Sequence, residues 1–141
     1  MAVTSEATTL WNGDLRSGAG TTKLDSSAAG EFPVSWAARA EGVAAKTNPE
    51  ELLGAAHSAC YSMAIANALA DFGAPPQSVQ VTAAVTFDPA AGITGSHLLV
   101  SAKVAGISEQ DFEQIAAKAK QTCPVSRALA GIPITLEANL A

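Results

Sequence analysis

The sequence predicts an α+β fold in which two antiparallel sheet blocks surround a long central helix. Two observations lead to this fold class. Stretches of alternating apolar and polar residues occur in two groups, before residue 45 and after residue 77, and a helical stretch separates the groups. The 141 residues suit a single domain, 1–141, and a composition of 48% hydrophobic and 15% charged residues allows a substantial core.

The first group of strands is a hairpin followed by a third strand. TTLWNGDL and GTTKLDSS lie on either side of the turn RSGAG and form the predicted hairpin. The stretch FPVSWAARAEG follows and is predicted as the third strand.

The stretch from Asn48 to Phe72 predicts one long helix. Asn48 can cap it, Pro49 suits the first helical position, and Gly73 suits the position just after the last turn. The helix is apolar nearly all round, so a single sheet cannot cover it. We expect the rest of its surface to contact a second subunit in a homodimer.

The rest of the chain predicts a second hairpin, two helices and a final strand. Ser108 is the expected cap of the first helix, and Cys123 and Pro124 begin the second. The segments are, in order, SVQVTAAVTFDP, GSHLLVSAKVAG, SEQDFEQIAAKAKQT, CPVSRALAG and IPITLEANL.

Charge and hydropathy exclude several classes of function. A net charge of −5 without a basic run argues against nucleic acid as the main partner, because phosphate binding requires a basic face. The start of the chain lacks the regions of a signal peptide, and no apolar stretch of about 18 residues is free of charges and turn residues. We expect a cytoplasmic protein that does not engage a membrane.

Three chemically active side chains share one face of the long helix. At about 100° per residue, Glu50, His57 and Cys60 fall within an arc of about 80°. Cys60 lies too far from the helix N-terminus for the dipole to ionise it, and burial raises the pKa of a thiol. A reactive Cys60 therefore needs a nearby cation.

Arg39 is the strongest candidate for this cation, ahead of Arg16 and Arg127. It interrupts an apolar, strand-like stretch, where a charge is costly unless it is paired. Glu50 could fix the guanidinium through two hydrogen bonds. At an effective dielectric of about 20, a unit charge about 4 Å from the sulfur contributes about 4 kcal/mol, so one arginine would suffice. The alternative is a surface arginine on an edge strand.

Cys123 has the opposite surroundings. At the predicted N-cap of a short helix, free amides and the helix dipole lower the pKa of a thiol, so local electrostatics make Cys123 the more acidic cysteine. Local physics does not settle whether Cys60 or Cys123 attacks first. The alternative is a pair of buried, unreactive cysteines.

The histidines point less clearly to chemistry. His57 lies three residues before Cys60, which allows a general-base or metal role, but such a helical histidine is more often packed and satisfied by a backbone carbonyl. His97 is expected to be structural or exposed. No known ligand spacing matches a zinc site made of His57, Cys60, Cys123 and His97.

NPEELLGAAHSACYSMAIANAL and CPVSRAL together resemble the OsmC/Ohr family, the osmotically inducible protein C and organic hydroperoxide resistance proteins. The similarity runs over nearly the full chain. It implies an OsmC-like fold in which two chains intertwine as a homodimer, with their long helices back to back between two sheets. A pair of active sites is then expected at the dimer interface.

The resemblance also implies a role for each candidate residue. Cys60 corresponds to the peroxidatic cysteine, Cys123 to the resolving cysteine and Glu50 to the carboxylate that holds the arginine. In the Ohr branch this arginine lies in the N-terminal hairpin loop, where the chain has Arg16. In the OsmC branch it lies on the strand before the helix, where the chain has Arg39.

Two details bear on the choice of branch. The histidine in GAAHSAC is similar to the OsmC branch and so favours Arg39. OsmC proteins often carry an aromatic residue after this arginine, whereas Ala40 follows it here. A more open pocket wall is expected from that difference.

The function implied by the resemblance is a thiol-dependent peroxidase of the oxidative and osmotic stress response. Organic hydroperoxides would be reduced to alcohols through a sulfenic acid on Cys60 and an intramolecular disulfide with Cys123. No metal, flavin or haem is needed. A dithiol, with a lipoylated protein as the implied partner, would reopen the disulfide. Apolar walls such as Leu53, Met63 and Ile65 would favour organic hydroperoxides over hydrogen peroxide.

Two other functions stand beside this one. The first is a non-enzymatic dimer that binds an apolar ligand or senses oxidation through its thiols. The second is a hydrolase that uses Cys60 with His57, although the sequence shows no oxyanion hole for it.

Overall fold

The computed structural model describes residues 1–141, and the chain divides into two compact units, 1–52 and 53–141. The single domain that the length suggests stays a prediction. The α+β class is confirmed, because two small sheets and a long helix form the chain.

The first unit contains a three-stranded antiparallel sheet in the order β1-β2-β3. β1 (Ala7–Asn12) and β2 (Ala19–Leu24) form the predicted hairpin, and β3 (Glu31–Val34) pairs with β2 on its other side. β1 and β2 pair through their backbones, and a side-chain hydrogen bond also joins them, with Thr9 Oγ1 2.7 Å from Thr22 Oγ1.

The third strand is shorter than predicted, and Arg39 lies in a helix. β3 ends at Val34, and the short helix α1 covers Trp36–Ala40. Between them Ser35 has extended backbone angles, and its side chain accepts a hydrogen bond from the Ala38 amide, which makes it an N-cap. The prediction of a strand through FPVSWAARAEG is therefore wrong after Val34. The alanines and Arg39 that follow the cap are good helix formers.

The long helix α2 (Pro49–Phe72) begins and ends as predicted. The Asn48 side chain accepts a hydrogen bond of 2.8 Å from the Glu51 amide and so caps the first turn. Gly73 has a φ of +98°, the left-handed conformation that commonly ends a helix.

The second unit contains a three-stranded sheet in the order β4-β5-β6. β4 (Ser78–Asp88) and β5 (Gly92–Lys103) form the predicted antiparallel hairpin. β6 (Ile134–Leu140) pairs with β5 in parallel, so the second sheet is mixed and the prediction of a wholly antiparallel block is wrong for its last strand.

Two helices connect β5 to β6. α3 (Glu109–Thr122) starts at the predicted cap, where the Ser108 side chain accepts a hydrogen bond from the Asp111 amide. α4 (Pro124–Ala128) follows almost at once, with Cys123 at its N-cap as predicted.

The core of the second unit lies among α2, α3 and β5. Its largest fully buried members are Tyr61, Phe112, Ile65, Leu69, Leu98 and Val100. The Tyr61 hydroxyl donates a 2.8 Å hydrogen bond to the Ala116 carbonyl, so the buried phenol is satisfied.

Gly54 lets α2 approach β4 closely. A Cβ at this position would lie 2.8 Å from the carbonyl oxygen of Ala83, which is too close for any side chain without a shift of the backbone. The absent side chain thus sets the distance between this part of α2 and the sheet.

No helix is both long enough and apolar enough to cross a membrane. Large apolar side chains nevertheless remain exposed, among them Met63 on α2 and Leu99 on β5. The homodimer expected from the apolar helix stays a prediction.

Candidate functional site

Cys60 and Cys123 lie side by side in the second unit. The two Sγ atoms are 3.0 Å apart, and both cysteines are free thiols. Cys60 comes from the middle of α2 and is partly exposed, whereas Cys123 at the N-cap of α4 is fully buried. The structure therefore brings together the two predicted cysteines, with the more accessible sulfur on the long helix.

The first turn of α4 points two backbone amides at the sulfurs. The Ser126 amide lies 3.5 Å from Cys123 Sγ, and the Val125 amide lies 3.5 Å from Cys60 Sγ. Amide donors near a sulfur favour its thiolate form. Each thiol thus has one main-chain donor from the same short helix.

The two thiols differ in acidity. Burial raises the pKa of Cys60, and the hydrogen bond shared with Cys123 raises it further against the opposing effect of the Val125 amide. Burial also disfavours the thiolate of Cys123, but the hydrogen bond shared with Cys60 and the hydrogen bonds from Ser126 outweigh it, so the pKa of Cys123 is lowered. Within this unit Cys123 is the more acidic thiol, as local electrostatics predicted.

Arg39 and Glu50 form an ion pair in the first unit. Arg39 Nε and Nη2 lie 2.9 Å and 2.8 Å from Glu50 Oε1, so both contacts go to the same carboxylate oxygen. The Glu50 side chain is only 6% exposed and its Oε2 atom has no hydrogen-bond partner. The expected pairing of Arg39 with Glu50 is present, although the carboxylate does not use both of its oxygens.

An apolar pocket of about 360 Å³ lies against Arg39 in the same unit. Most of its wall is apolar, and Arg39 is the charged residue among those that line it. The apolar lining includes Trp11, Leu15, Val34, Trp36, Pro49 and Leu52.

None of the walls expected from the sequence, Leu53, Met63 and Ile65, lines this pocket. Ile65 is fully buried in the core, and Met63 is 72% exposed. The signal that could have found the pocket is Trp11 and Trp36, the only tryptophans in a chain with 5% aromatic residues.

The other candidate arginines lie at the surface. Arg16 is exposed in the turn between β1 and β2, and Arg127 is exposed in the last turn of α4. Of the three arginines considered, Arg39 is the one whose ion pair with a buried carboxylate the structure records.

His57 is held between two serine hydroxyls. Its Nδ1 atom lies 2.7 Å from Ser96 Oγ on β5, and its Nε2 atom lies 2.8 Å from Ser126 Oγ on α4. The ring is fully buried, and burial lowers the pKa of His57. The expected backbone carbonyl is not the partner; two hydroxyls distant in the sequence take its place.

These contacts bear on the alternatives considered from the sequence. Both ring nitrogens of His57 bind serines, so neither of them activates Cys60 as the hydrolase hypothesis requires. His97 lies on β5, where its Nδ1 atom bonds Thr135 Oγ1 at 2.6 Å. No group of three or more histidine, cysteine, aspartate or glutamate side chains is placed to hold a metal ion.

The fold and the contacting free thiols define an α+β protein in which a thiol of the long helix α2 meets a thiol at the start of the short helix α4. Comparison with known proteins identifies the family. Residues 42–137 match the family model of the OsmC-like proteins. The chain is 38% identical over 143 aligned residues to the peroxiredoxin OsmC of Escherichia coli strain K12, with 99% of each chain covered, and equally similar to the same protein of Shigella flexneri. The chain belongs to the OsmC family.

Solved structures agree on the fold. An OsmC-like protein of unknown function from Vibrio cholerae superposes with a TM-score of 0.75 at 18% identity, covering 98% of this chain and 100% of that one. The organic hydroperoxide resistance protein OhrB of Bacillus subtilis superposes with a TM-score of 0.67 at 20% identity, covering 99% and 98%. The OsmC-like fold expected for the single chain is confirmed, and the intertwined homodimer stays a prediction.

Proposed function

We propose that this chain is a thiol-dependent peroxidase that reduces organic hydroperoxides to alcohols. The observation that carries the proposal is the 3.0 Å contact between two free thiols, because a sulfenic acid on one sulfur would meet a thiol at once. The names of two similar proteins support it: the Escherichia coli relative is a peroxiredoxin, and the Bacillus subtilis structure is an organic hydroperoxide resistance protein.

Cys60 is the proposed first nucleophile, since it is the more exposed of the two sulfurs. Its thiolate attacks the distal oxygen of R–O–OH and the O–O bond breaks. The alkoxide takes up a proton and leaves as the alcohol, and Cys60 becomes a sulfenic acid. Sulfur has then been oxidised by two electrons and the peroxide reduced by two.

Arg39 is the proposed cation for this step. Burial raises the pKa of Cys60, and the Val125 amide of α4 does not offset this effect. The thiolate of Cys60 therefore needs a positive charge nearby. The ion pair with Glu50 fixes the direction of the Arg39 guanidinium. Its N–H groups would stabilise the thiolate and hydrogen-bond the peroxide oxygens.

Cys123 is the proposed resolving thiol. Hydrogen bonds lower its pKa and so favour its thiolate, and this thiolate attacks the sulfenic sulfur of Cys60. A Cys60–Cys123 disulfide forms, and the sulfenic hydroxyl leaves with a proton as water. A dithiol must then reduce the disulfide to restore both thiols, and a lipoylated protein is the proposed donor.

The pocket beside Arg39 supports the proposed substrate class. Its apolar lining would hold the organic group of the hydroperoxide while the guanidinium faces the peroxide oxygens. Hydrogen peroxide has no organic group to place there and would gain nothing from the lining. We therefore expect organic hydroperoxides to be preferred.

The proposed assembly is a homodimer, and the proposed location is the cytoplasm. Met63 at 72% exposure on α2 and Leu99 at 44% on β5 leave apolar surface that a second copy would cover. Sedimentation should show a dimer at about micromolar concentration, in the range where specific interfaces associate. A monomer there would contradict this part of the proposal.

The proposed function is tested first with a single equivalent of hydroperoxide and then under conditions that allow repeated turnover. One equivalent of an organic hydroperoxide should lower the intact mass of the reduced protein by two hydrogens and release one alcohol. With a dithiol in excess, repeated turnover should follow. A single oxidation that never repeats would instead identify a redox sensor, and no oxidation would contradict a role for the thiols.

A further inference from the structure

The buried His57 connects three elements of the second unit. The ring belongs to α2, its Nδ1 atom bonds Ser96 on β5, and its Nε2 atom bonds Ser126 on α4. His57 and Ser96 are at most 2% exposed and Ser126 is 5% exposed, so water does not substitute for these contacts. The three side chains form a closed polar group inside an apolar unit.

Ser126 also connects this group to a thiol. Its amide donates to Cys123 Sγ while its hydroxyl binds His57. Ser126 thus has one contact with the imidazole and another with the sulfur. The path from His57 to Cys123 runs through a single residue.

The helix that carries Ser126 is too short to hold its own position. α4 covers only Pro124–Ala128, and isolated helices of this length are unstable without tertiary contacts. Cys123 caps its first turn, so any shift of α4 moves the sulfur relative to Cys60. A hydrogen bond from the long, well-packed α2 to Ser126 opposes such a shift.

We propose that His57 is a positioning residue for the second thiol: through Ser126 it holds α4 so that Cys123 Sγ stays in contact with Cys60 Sγ. The proposal deepens the proposed function and rests on it for the sulfenic acid step. There Cys123 attacks the sulfenic sulfur of Cys60, the disulfide forms and water leaves. The juxtaposition of the sulfurs can be measured without any peroxide.

Two amide substitutions separate the two contacts of the ring. In His57→Gln the side-chain amide can reach the place of Nε2 and keep the contact with Ser126. In His57→Asn the shorter amide reaches only the place of Nδ1 and keeps the contact with Ser96. Both variants replace a buried imidazole by a smaller amide, so they differ mainly in the serine that they retain.

The measured quantity is the equilibrium between dithiol and disulfide. Reduced full-length protein is equilibrated with mixtures of lipoic acid and dihydrolipoic acid, which exchange two electrons and two protons with the Cys60–Cys123 pair. The disulfide fraction is read by intact mass after acid quenching. Far-ultraviolet circular dichroism confirms that each variant is folded under the same conditions.

We expect His57→Asn and Ser126→Ala each to lower the equilibrium constant for disulfide formation about tenfold, which is about 1.4 kcal/mol or one hydrogen bond. The double variant His57→Asn/Ser126→Ala should lose no more than Ser126→Ala alone, because the contact between His57 and Ser126 is already absent in that variant. His57→Gln and the control Ser96→Ala should stay within about threefold of the parent protein.

Equal losses in His57→Gln and His57→Asn, or an unchanged constant in Ser126→Ala, would overturn the proposal. If His57→Asn does not fold, the comparison of Ser126→Ala with Ser96→Ala tests the proposal. A lower equilibrium constant in Ser126→Ala alone supports it, and equal constants in the two variants overturn it. If the proposed function is wrong but this proposal is right, the parent protein will show no peroxide turnover. The equilibrium constants for disulfide formation will still fall in the variants that lose the contact with Ser126.

Discussion

The Sγ atom of Cys123 lies 3.0 Å from the Sγ atom of Cys60, although the two cysteines are 63 positions apart in the chain. The buried sulfur has the lowered pKa, whereas the partly exposed sulfur has the raised one. Acidity and access therefore favour different thiols for the first attack. A peroxide must reach the sulfur that it oxidises, so access favours Cys60, and the acidic Cys123 suits the second step.

Replacement of Cys60 by serine tests the first step. We expect Cys60→Ser to reduce the turnover of cumene hydroperoxide or tert-butyl hydroperoxide to the rate without protein, because a serine hydroxyl is far less ionised and less nucleophilic than a thiol. Peroxide consumption with excess dithiol is the measurement. Normal activity in a folded Cys60→Ser protein would refute Cys60 as the nucleophile.

Replacement of Cys123 by serine tests the second step. Cys123→Ser should still consume about one equivalent of hydroperoxide per chain and then stop, because the sulfenic acid on Cys60 has no thiol to condense with. Dimedone should trap that sulfenic acid on the peptide that contains Cys60. If this variant loses even the first equivalent, the roles of Cys60 and Cys123 are reversed.

The cation is tested by alkylation of Cys60. Iodoacetamide reacts with thiolates, so its rate at neutral pH reports how far Cys60 is ionised. We expect Arg39→Ala to slow the reaction by more than about tenfold, because a unit charge near a partly buried sulfur contributes several kcal/mol. Arg16→Ala, which removes an exposed charge from the N-terminal turn, is the matched control.

Arg39→Lys refines this comparison. It keeps the positive charge but loses the planar fork that places two nitrogens on Glu50 Oε1. A rate between those of the parent protein and Arg39→Ala is expected. Should Arg16→Ala slow alkylation more than Arg39→Ala, the cation belongs to the N-terminal turn.

Local sequence signals predicted most of the fold. Asn48, Pro49 and Gly73 mark the ends of α2, and alternation marks both hairpins, because caps and pleats depend on residues a few positions apart. Ser35 carries the same kind of signal, because its side chain can cap a helix that starts at Trp36. Its N-cap starts α1 inside a stretch whose apolar residues also suit a strand, and this moved Arg39 from a strand to a helix.

Contacts between distant residues could not be predicted in the same way. The parallel pairing of β6 with β5 and the pocket beside Arg39 have no counterpart in any short stretch. The partners of His57 lie 39 and 69 residues away in the chain, and serine is too common a residue to mark them. The contact of Cys60 with Cys123 was anticipated because a family resemblance supplied what spacing alone did not.

The lowered pKa of His57 predicts how folding stability depends on pH. Burial disfavours the charged ring in the folded chain, whereas the unfolded chain binds a proton at the ordinary histidine pKa of about 6.5. Stability is therefore complete above that value and decreases as the pH falls through it towards the lowered pKa of the folded state. The midpoint of urea unfolding should be lower at about pH 5 than at about pH 7, and His57→Gln should reduce this difference, since glutamine does not titrate. His97→Gln, which changes the histidine bonded to Thr135 on the exposed side of β5, should retain the full difference. An equal loss of pH dependence in both variants would show that His57 is not the group responsible.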